Sequence, residues 1–472
     1  LPPTITNISP LITLASGGTE GTVGGWNEKQ SILFGTASAN DYFGGVVAIS
    51  SDGNYGAAAA LGDGGGGTDS GTVTMYKRNT ATDQWSQIQT ENIPSGAASS
   101  DRFGSTISLS SDGQALTIGC QLADRGGQTA AGMVSTWRFN GSTYSYVGEI
   151  SNPRGNTTNA EWSSSETEKG MYMSGNGLNM IVGTKTYNSS RGIVDLYSRS
   201  AITNNWTFYG TISPTIHTHA TLYFGASVAM SSDGKVVVVG AYLAQNTVYR
   251  EGAAYVYEYT GSADGVYSGG SWVHRSTLLP PTPESSGFFG QRVEISGDAN
   301  YVLIGEANDD VGGVANVGGA HVYVRSGNAW NFQQSLVDPD AQPSDYMGKS
   351  ISINSDGTHI LAGASYDDGP TGGAVIENAG KVLHFKRTGT TWAYSATIYA
   401  PTPTANDLFG ADSSTSISGD GTRALLGLKN DDTPYNDNGQ LIYYTFATAA
   451  AAVIDASTQV FTVTGTGFTS SM

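Results

Sequence analysis

The chain has 472 residues, among them 64 glycines, 25 tyrosines and 8 tryptophans, and only 13% of its residues are charged. Forty acidic against 22 basic residues leave a formal charge of −18, so the basic stripe that displaces counterions from nucleic acid is missing and anionic lipid is disfavoured. Cys120 is the single cysteine, which excludes an internal disulfide and a thiolate metal cluster, and no apolar run reaches the ~18–20 residues that span a bilayer.

Glycine supplies turn geometry and aromatic residues favour pleated surfaces, so the composition predicts an all-β chain. In chain order, residues 1–24 read as a Thr-rich linker, or the end of another module. The first strand is expected over Trp26–Leu33. From there one unit recurs. It opens on Phe43-Gly44, Phe103-Gly104, Phe224-Gly225, Phe289-Gly290, Met347-Gly348 and Phe409-Gly410; the third copy has lost the pair around Thr167 and Glu168. Apolar residues then alternate, as in Ile107 and Leu109 or Val293 and Ile295, the period of a strand with one face in a core.

A tight turn follows: Ser51-Asp52-Gly53, Ser111-Asp112-Gly113, Gly175-Asn176-Gly177, Ser232-Asp233-Gly234, Gly297-Asp298-Ala299, Ser355-Asp356-Gly357 and Gly419-Asp420-Gly421, spaced 57 to 65 residues apart. Asp-Gly and Asn-Gly accept positive φ and mark hairpins. Apolar runs such as Val236–Val239 come next, reading as strands buried on both faces, with Gly119, Gly183, Gly240, Gly305, Gly363 and Gly427 seven residues past the turn Asp or Asn and Ala59 in the first copy. A third strand opens on Gly71, Gly132, Gly192, Gly252, Gly319, Gly380 and Gly439. A fourth is marked by Trp85, Tyr144, Trp206, Trp272, Trp330 and Trp392.

Four strands per unit make a propeller blade, and turns, glycines and aromatic strands all count seven. No Trp-marked strand follows Phe446, whereas a surplus one stands at Trp26. The N-terminal strand is therefore expected to complete the last blade and to remove its open edge. The reading is an all-β, seven-bladed propeller over residues 25–446, with residues 447–472 as a linker or the start of a further module.

The unit Phe224-Gly225, Asp233-Gly234, Gly240-Ala241 resembles the FG-GAP repeat of integrin α-subunit propellers, and still more the FG-GAP-like repeats of surface proteins. Pro3–Pro10 resembles the opening of an IPT/TIG Ig-like domain, and Phe461–Phe468 resembles its second strand. The resemblance implies a segment of a multidomain extracellular protein, at a cell surface, in a filament or on a virion, with Ig-like neighbours in the same chain. The chain begins at Leu1 with no signal peptide, which reads as a segment of a longer or processed polypeptide.

The loops joining strand four to strand one and strand two to strand three are expected on one face. Carboxylates gather there: Asp41, Asp101, Asp345 and Asp407 before the Phe-Gly positions; then Asp309-Asp310, Asp367-Asp368 and Asp431-Asp432, with Asp63, Asp69, Asp124 and Asp437 in similar loops. Ca²⁺ takes six to eight oxygen ligands, so the three Asp pairs are the candidate cation ligands, although Asp residues also form turns. No cofactor is required by the sequence. The integrin-type Asp-x-Asp-x-Asp-Gly cage is absent between strands one and two, so those ligands do not carry over. His217 and His219 form a His-x-His pair without a third ligand. Asn7, Asn140, Asn156, Asn188 and Asn205 open glycosylation sequons. No acid/base or Ser-His constellation recurs, so the expectation is a non-enzymatic display module with a protein or glycan partner at the acidic loop face. A lectin-like glycan binder is the alternative.

Overall fold

A computed structural model describes residues 25–447, 451–455 and 460–464, apart from loop residues 36–37, 65–66, 95, 97, 125–126, 128–129, 155–161, 163–167, 215–220, 264, 370–374 and 433–435. The chain falls into two units, residues 28–445 and residues 1–27 with 446–472. Among the described residues no helix is long and apolar enough to cross a membrane.

Seven four-stranded antiparallel sheets follow one another, six of them in sequence order from first strand to fourth. The chain enters on β1 (Trp26–Leu33). Blade 1 is β2 (Phe43–Ile49), β3 (Tyr55–Ala60), β4 (Thr72–Asn79) and β5 (Gln84–Glu91). Blade 2 is β6 (Phe103–Leu109), β7 (Ala115–Cys120), β8 (Met133–Phe139) and β9 (Tyr144–Ser151). Blade 3 is β10 (Met171–Met173), β11 (Asn179–Thr184), β12 (Ile193–Ser198) and β13 (Thr207–Ile212). Blade 4 is β14 (Val228–Met230), β15 (Val236–Ala241), β16 (Ala253–Tyr259) and β17 (Trp272–Leu278). Blade 5 is β18 (Arg292–Ile295), β19 (Tyr301–Glu306), β20 (Gly319–Ser326) and β21 (Ala329–Leu336). Blade 6 is β22 (Ser350–Ile353), β23 (His359–Ala364), β24 (Lys381–Thr388) and β25 (Thr391–Ile398). Blade 7 is β26 (Thr415–Ile417), β27 (Arg423–Leu428) and β28 (Gln440–Phe446), and its fourth strand is β1, as the strand count required. In the smaller unit the Ala447 N–H donates to Gly25 O at 3.0 Å, the Trp26 and Phe446 rings meet at 5.5 Å, and β29 (Ala451–Asp455) pairs with β30 (Val460–Thr464).

The second strands are buried apart from the first residues of β19 and β27, Tyr301 and Arg423, and β15 is buried from Val236 to Ala241, which explains their apolar runs. Ala59 sits inside β3 without positive φ, like the glycines of the other copies; there a Cβ would meet the next blade's backbone instead, as on Gly240, 2.1 Å from Gly290 O. Cys120 is fully buried at the end of β7, a small packed residue as expected.

Two sets of backbone contacts hold blade to blade. At one end the seven Asp/Asn turns bond head to tail in a closed belt. The N–H groups of Asp52, Ser111, Gly175, Ser232, Asp298, Ser355 and Gly419 donate to the carbonyls of Ser111, Gly175, Ser232, Gly297, Ser355, Gly419 and Ser51, over 2.7–3.2 Å. This belt accounts for the mixture of serine and glycine that opens the turns. A Cβ on Gly419 would lie 2.0 Å from Ser51 Oγ, and one on Gly297 2.7 Å from Ser232 Oγ, so a serine at either place would displace its neighbour's hydroxyl.

Further up, Phe43, Phe224, Phe289 and Phe409 each bridge the opening glycine of the preceding blade's third strand, as in Gly252 with Phe289 and Gly380 with Phe409. A Cβ on Gly252 would meet Phe289 O at 2.0 Å, and its φ of +90° suits glycine alone. Two sequence readings change here. The opening glycine of blade 5 is Gly318, which has φ +78° and bridges Met347; Gly319 is one residue too far along. In blade 3 the Phe position is filled, not lost: Trp162, fully buried, takes it, with its backbone and Cβ packed on Gly132. The fourth-strand aromatics pack between blades, Trp85 edge-on to Tyr443 at 5.6 Å and Trp392 to Tyr301 at 6.0 Å.

Candidate functional site

The two carboxylate-bearing loop classes do share a face: Gly62 N–H donates to Asp41 O, Leu122 N–H to Asp101 O and Tyr366 N–H to Asp345 O. The aspartates two residues before Phe or Met are buried turn-formers. Asp101 accepts from Ala98 N (2.6 Å), Asp345 from Gln342 N (2.7 Å), and Asp407 from both the N–H and the hydroxyl of Thr404 (2.5 and 2.6 Å). They brace a strained corner, since Tyr42, Tyr346 and Leu408 have φ between 53° and 55°. Burial pushes the Asp345 and Asp407 carboxyls up to about 6 in spite of those bonds.

Within the candidate pairs the two positions have different tasks. The second Asp of each pair pins its own loop: Asp310 accepts from Asn316 N (2.8 Å), Asp368 from Asn378 N (3.1 Å) and Asp432 from Asp437 N (3.0 Å). Those donors sit at φ 51–53°, where Asn and Asp are tolerated, and Asp69 (φ 54°) holds the equivalent place in blade 1. The first Asp of each pair, Asp309, Asp367 or Asp431, is buried, and its carbonyl accepts from the opening glycine of the third strand. The structure therefore separates Asp310, Asp368 and Asp432 from the buried clusters that could hold a metal ion. Those are Glu306 with Asp309 and His321, and Asp338 with Asp345 and Asp367.

The blade 6 cluster contains its own cation. Lys381 Nζ lies 2.7 Å from Asp338 Oδ2 and 2.7 Å from Asp367 Oδ2, with all three side chains 1% exposed. Burial pulls the ammonium pKa down, but the two carboxylates outweigh it and hold the lysine charged. In blade 1 the residue after the opening glycine is Thr72, whose hydroxyl donates to Asp63 Oδ2 at 2.8 Å. In blade 5 the corresponding residue is Gly319.

Blade 5 thus has three side chains able to hold a metal ion and no lysine among them. The Glu306, Asp309 and His321 donor atoms all lie within 4.8 Å of one another. His321 Nε2 is 3.0 Å from Glu306 Oε2 and 3.8 Å from Asp309 Oδ2, while its Nδ1 lies 2.9 Å from Ser335 Oγ. The Glu306–His321 approach is not aligned as a hydrogen bond, and neither Glu306 oxygen has a hydrogen-bond partner. Burial, with Glu284 and Glu251 nearby, raises the Glu306 carboxyl to about 8. Burial and Glu306 raise Asp309 to about 6, and burial lowers His321 to about 4. Glu306 and His321 were not among the sequence candidates.

Other buried carboxylates at this level are compensated. Asp195 holds Arg154 in a bidentate pair (2.5 and 2.8 Å) and accepts from Trp162 Nε1. Glu251 accepts from the backbone N–H groups of Asn246, Thr247 and Val248 and from the Thr247 hydroxyl. In the central channel Lys169 pairs with Glu294, and the buried Arg292 donates to Ser413 Oγ at 2.9 Å.

The described sequon residues Asn140, Asn188 and Asn205 are exposed. Asn7, Asn156, His217 and His219 lie outside the described residues. The serine before the turn, for example Ser231, donates to the turn Asp (2.6 Å) and accepts from the next strand's first N–H, a structural role that Asn354 takes in blade 6. On the loop face Tyr42, Tyr223, Phe288 and Tyr346 occupy one repeat position, half-buried, and Tyr242 and Tyr366 pack edge-on against them.

Four-stranded blades in a ring of seven, closed by the first strand of the chain, define a seven-bladed β-propeller. Residues 218–257 and 330–379, in blades 4 to 6, match the FG-GAP repeat family. The match does not extend to an Ig-like module at either end. No curated protein sequence matches the chain.

Proposed function

We propose that this propeller is a non-enzymatic display module, structural or adhesive, in a larger extracellular assembly: a cell surface, a filament or a virus particle. The observation that carries the reading is the asymmetry between its two ends. One end is tied by the backbone belt through all seven turns, which keeps the scaffold rigid. The other presents loops that differ from blade to blade in length and chemistry, the usual arrangement for binding. The Thr-rich ends, with their likeness to IPT/TIG sequences, would join it to Ig-like neighbours. A protein or glycan is the partner expected at the loop face.

A second reading, a glycan-binding propeller, draws support from the aromatic residues repeated on that face, because aromatic rings stack on sugars. One experiment addresses both. Fluorescently labelled protein is applied to cell surfaces and to a glycan array, alongside a variant with Tyr249→Ala and Tyr366→Ala, two of the exposed loop tyrosines. Saturable binding that the variant loses supports the display module, and competition by a free sugar supports the glycan reading. Absence of saturable binding to either surface would overturn both.

A further inference from the structure

We propose that blade 5 holds one divalent transition-metal ion of the zinc class on Glu306, Asp309 and His321. The cluster alone would not carry this, since acidic groups gather in several loops. The deciding observation is Glu306, which is fully buried with both carboxylate oxygens lacking a hydrogen-bond partner. Among the described residues it is the only buried carboxylate in that condition. A buried carboxylate without a hydrogen-bond partner costs several kcal/mol, and Glu306 Oε2 stands 3.0 Å from His321 Nε2, inside the cluster.

The geometry suits an ion. Ligands held ~2.0–2.2 Å from zinc stand about 3–4 Å apart, and the 3.0 and 3.8 Å separations around His321 Nε2 fall in that range. Ser335 Oγ engages Nδ1, which leaves the Nε2 lone pair for the metal, the usual role of a partner behind a histidine ligand. An imidazole among the ligands selects against Ca²⁺, which takes oxygen donors, and for zinc and its neighbours. Two carboxylates and a neutral imidazole around a divalent ion give a neutral group, which a buried site favours.

Two glycines leave the space. Gly319 stands where blade 6 has Lys381, and a Cβ there would lie 3.2 Å from Asp309 Oδ2. Gly287 stands where blades 1, 2, 6 and 7 have the buried Asp, and its Cβ would fall 2.3 Å from Glu306 Oε1. An open depression lined by Glu284, Asn308, Asp310 and Asn316 lies in the loops of the same blade, on either side of Asp309 in the chain.

The test uses the full chain, stripped with chelator and titrated with Zn²⁺, Co²⁺ and Ca²⁺ separately. We expect one Zn²⁺ per chain, a melting temperature raised by Zn²⁺ and unmoved by equal Ca²⁺, and a visible absorption band with Co²⁺. Glu306→Ala and His321→Leu install the residues that blade 6 has in these places, Ala364 and Leu383. Each should abolish the stoichiometric binding and the Co²⁺ band. Because each removes a misfit polar group, its metal-free melt should stay near or above the parent's, which verifies folding. Gly319→Lys, supplying blade 6's ammonium, should also abolish binding. No stoichiometric Zn²⁺ in the parent would overturn the proposal. So would Zn²⁺ binding that survives both Glu306→Ala and His321→Leu, or that is lost only when His217 and His219 are replaced.

Discussion

Blades 5 and 6 begin from the same backbone and part company over charge. In each, an aspartate between the second and third strands, Asp309 or Asp367, is buried and its carbonyl accepts from the opening glycine. Blade 6 places a lysine next to that glycine and closes the site with its own ammonium, shared between Asp338 and Asp367. Blade 5 has glycine there, adds Glu306 and His321, and leaves the carboxylates facing one another. An identical fold therefore supports a self-sufficient ion pair in one blade and a site open to an external cation in the next. The difference lies in a few side chains at one level of the sheet.

Removing the lysine should have the largest effect. Lys381→Met should leave Asp338 and Asp367 buried without a counter-charge, costing about 3–5 kcal/mol. Denaturant melts would show it as a lowered midpoint. Adding Asp338→Asn and Asp367→Asn to the same chain should recover much of the loss. A Lys381→Met protein as stable as the parent would mean that water already screens the pair, and blade 6 would then resemble blade 5.

Most of the architecture could be read from the chain, because each blade repeats its own punctuation. The seven turns, the glycine seven residues later and the surplus strand at Trp26 were enough for blade number and closure. What escaped did so for physical reasons. Trp162 fills the Phe position of blade 3 from a different sequence context, so a search for Phe-Gly passes over it, although only bulk and burial are needed there. Glu306 and His321 are 15 residues apart, on β19 and β20, and meet only across the sheet. A signal did exist. Gly287, Glu306 and Gly319 each depart from their counterparts in blade 6 (Asp345, Ala364 and Lys381), and the three departures fall at one level of one blade. Aligning blade against blade, position by position, exposes it. The Asp pairs were found for a sound reason, their charge, but their two members share neither environment nor role.

Acid offers a second comparison, smaller in effect. Blade 6 carries His359 and His384 stacked and buried, Nδ1 to Nε2 at 2.9 Å, where blade 5 has Tyr301 and Val322. Burial lowers both, His384 to about 3, with Lys386 acting in the same direction and Asp356 and Asp420 opposing it at His359. The unfolded chain takes up these protons near pH 6.5 and the native state does not, so the unfolded state binds more protons as the pH falls from there towards 3. Stability contributed by the pair is thus present above pH 6.5 and is lost through that window. His384→Val, the blade 5 residue, should improve relative to the parent on going from pH 7 to pH 4.5. Comparing the two proteins matters, because carboxyls raised to about 6, such as Asp345 and Asp407, take up protons in the native state and act in the opposite sense. An unchanged difference between parent and variant at the two pH values would show that the histidines titrate normally.

The smallest effect separates the two aspartates of each pair. Asp310 and Asp368 each accept a backbone N–H, from Asn316 and Asn378, in loops whose turn residues have positive φ. Removing such a bond costs about 1 kcal/mol, and water reaches the freed N–H in part because Asp310 is exposed and Asp368 half-exposed. Asp310→Ala and Asp368→Ala should therefore lower stability by about the same small amount in blades that otherwise differ. Neither should change the response to Zn²⁺, since the second aspartate of each pair directs its oxygen into its own loop. Thermal melts of the two variants with Zn²⁺ and with chelator would decide this. If Asp310→Ala abolished the Zn²⁺ response, the second aspartate would be a ligand after all, and the cation would sit in the loop above the sheet instead of between β19 and β20. If the two variants differed widely without metal, the loops would not be equivalent, and the contrast between the blades would begin in their backbones and not in the side chains of Lys381, Gly319, Glu306 and His321.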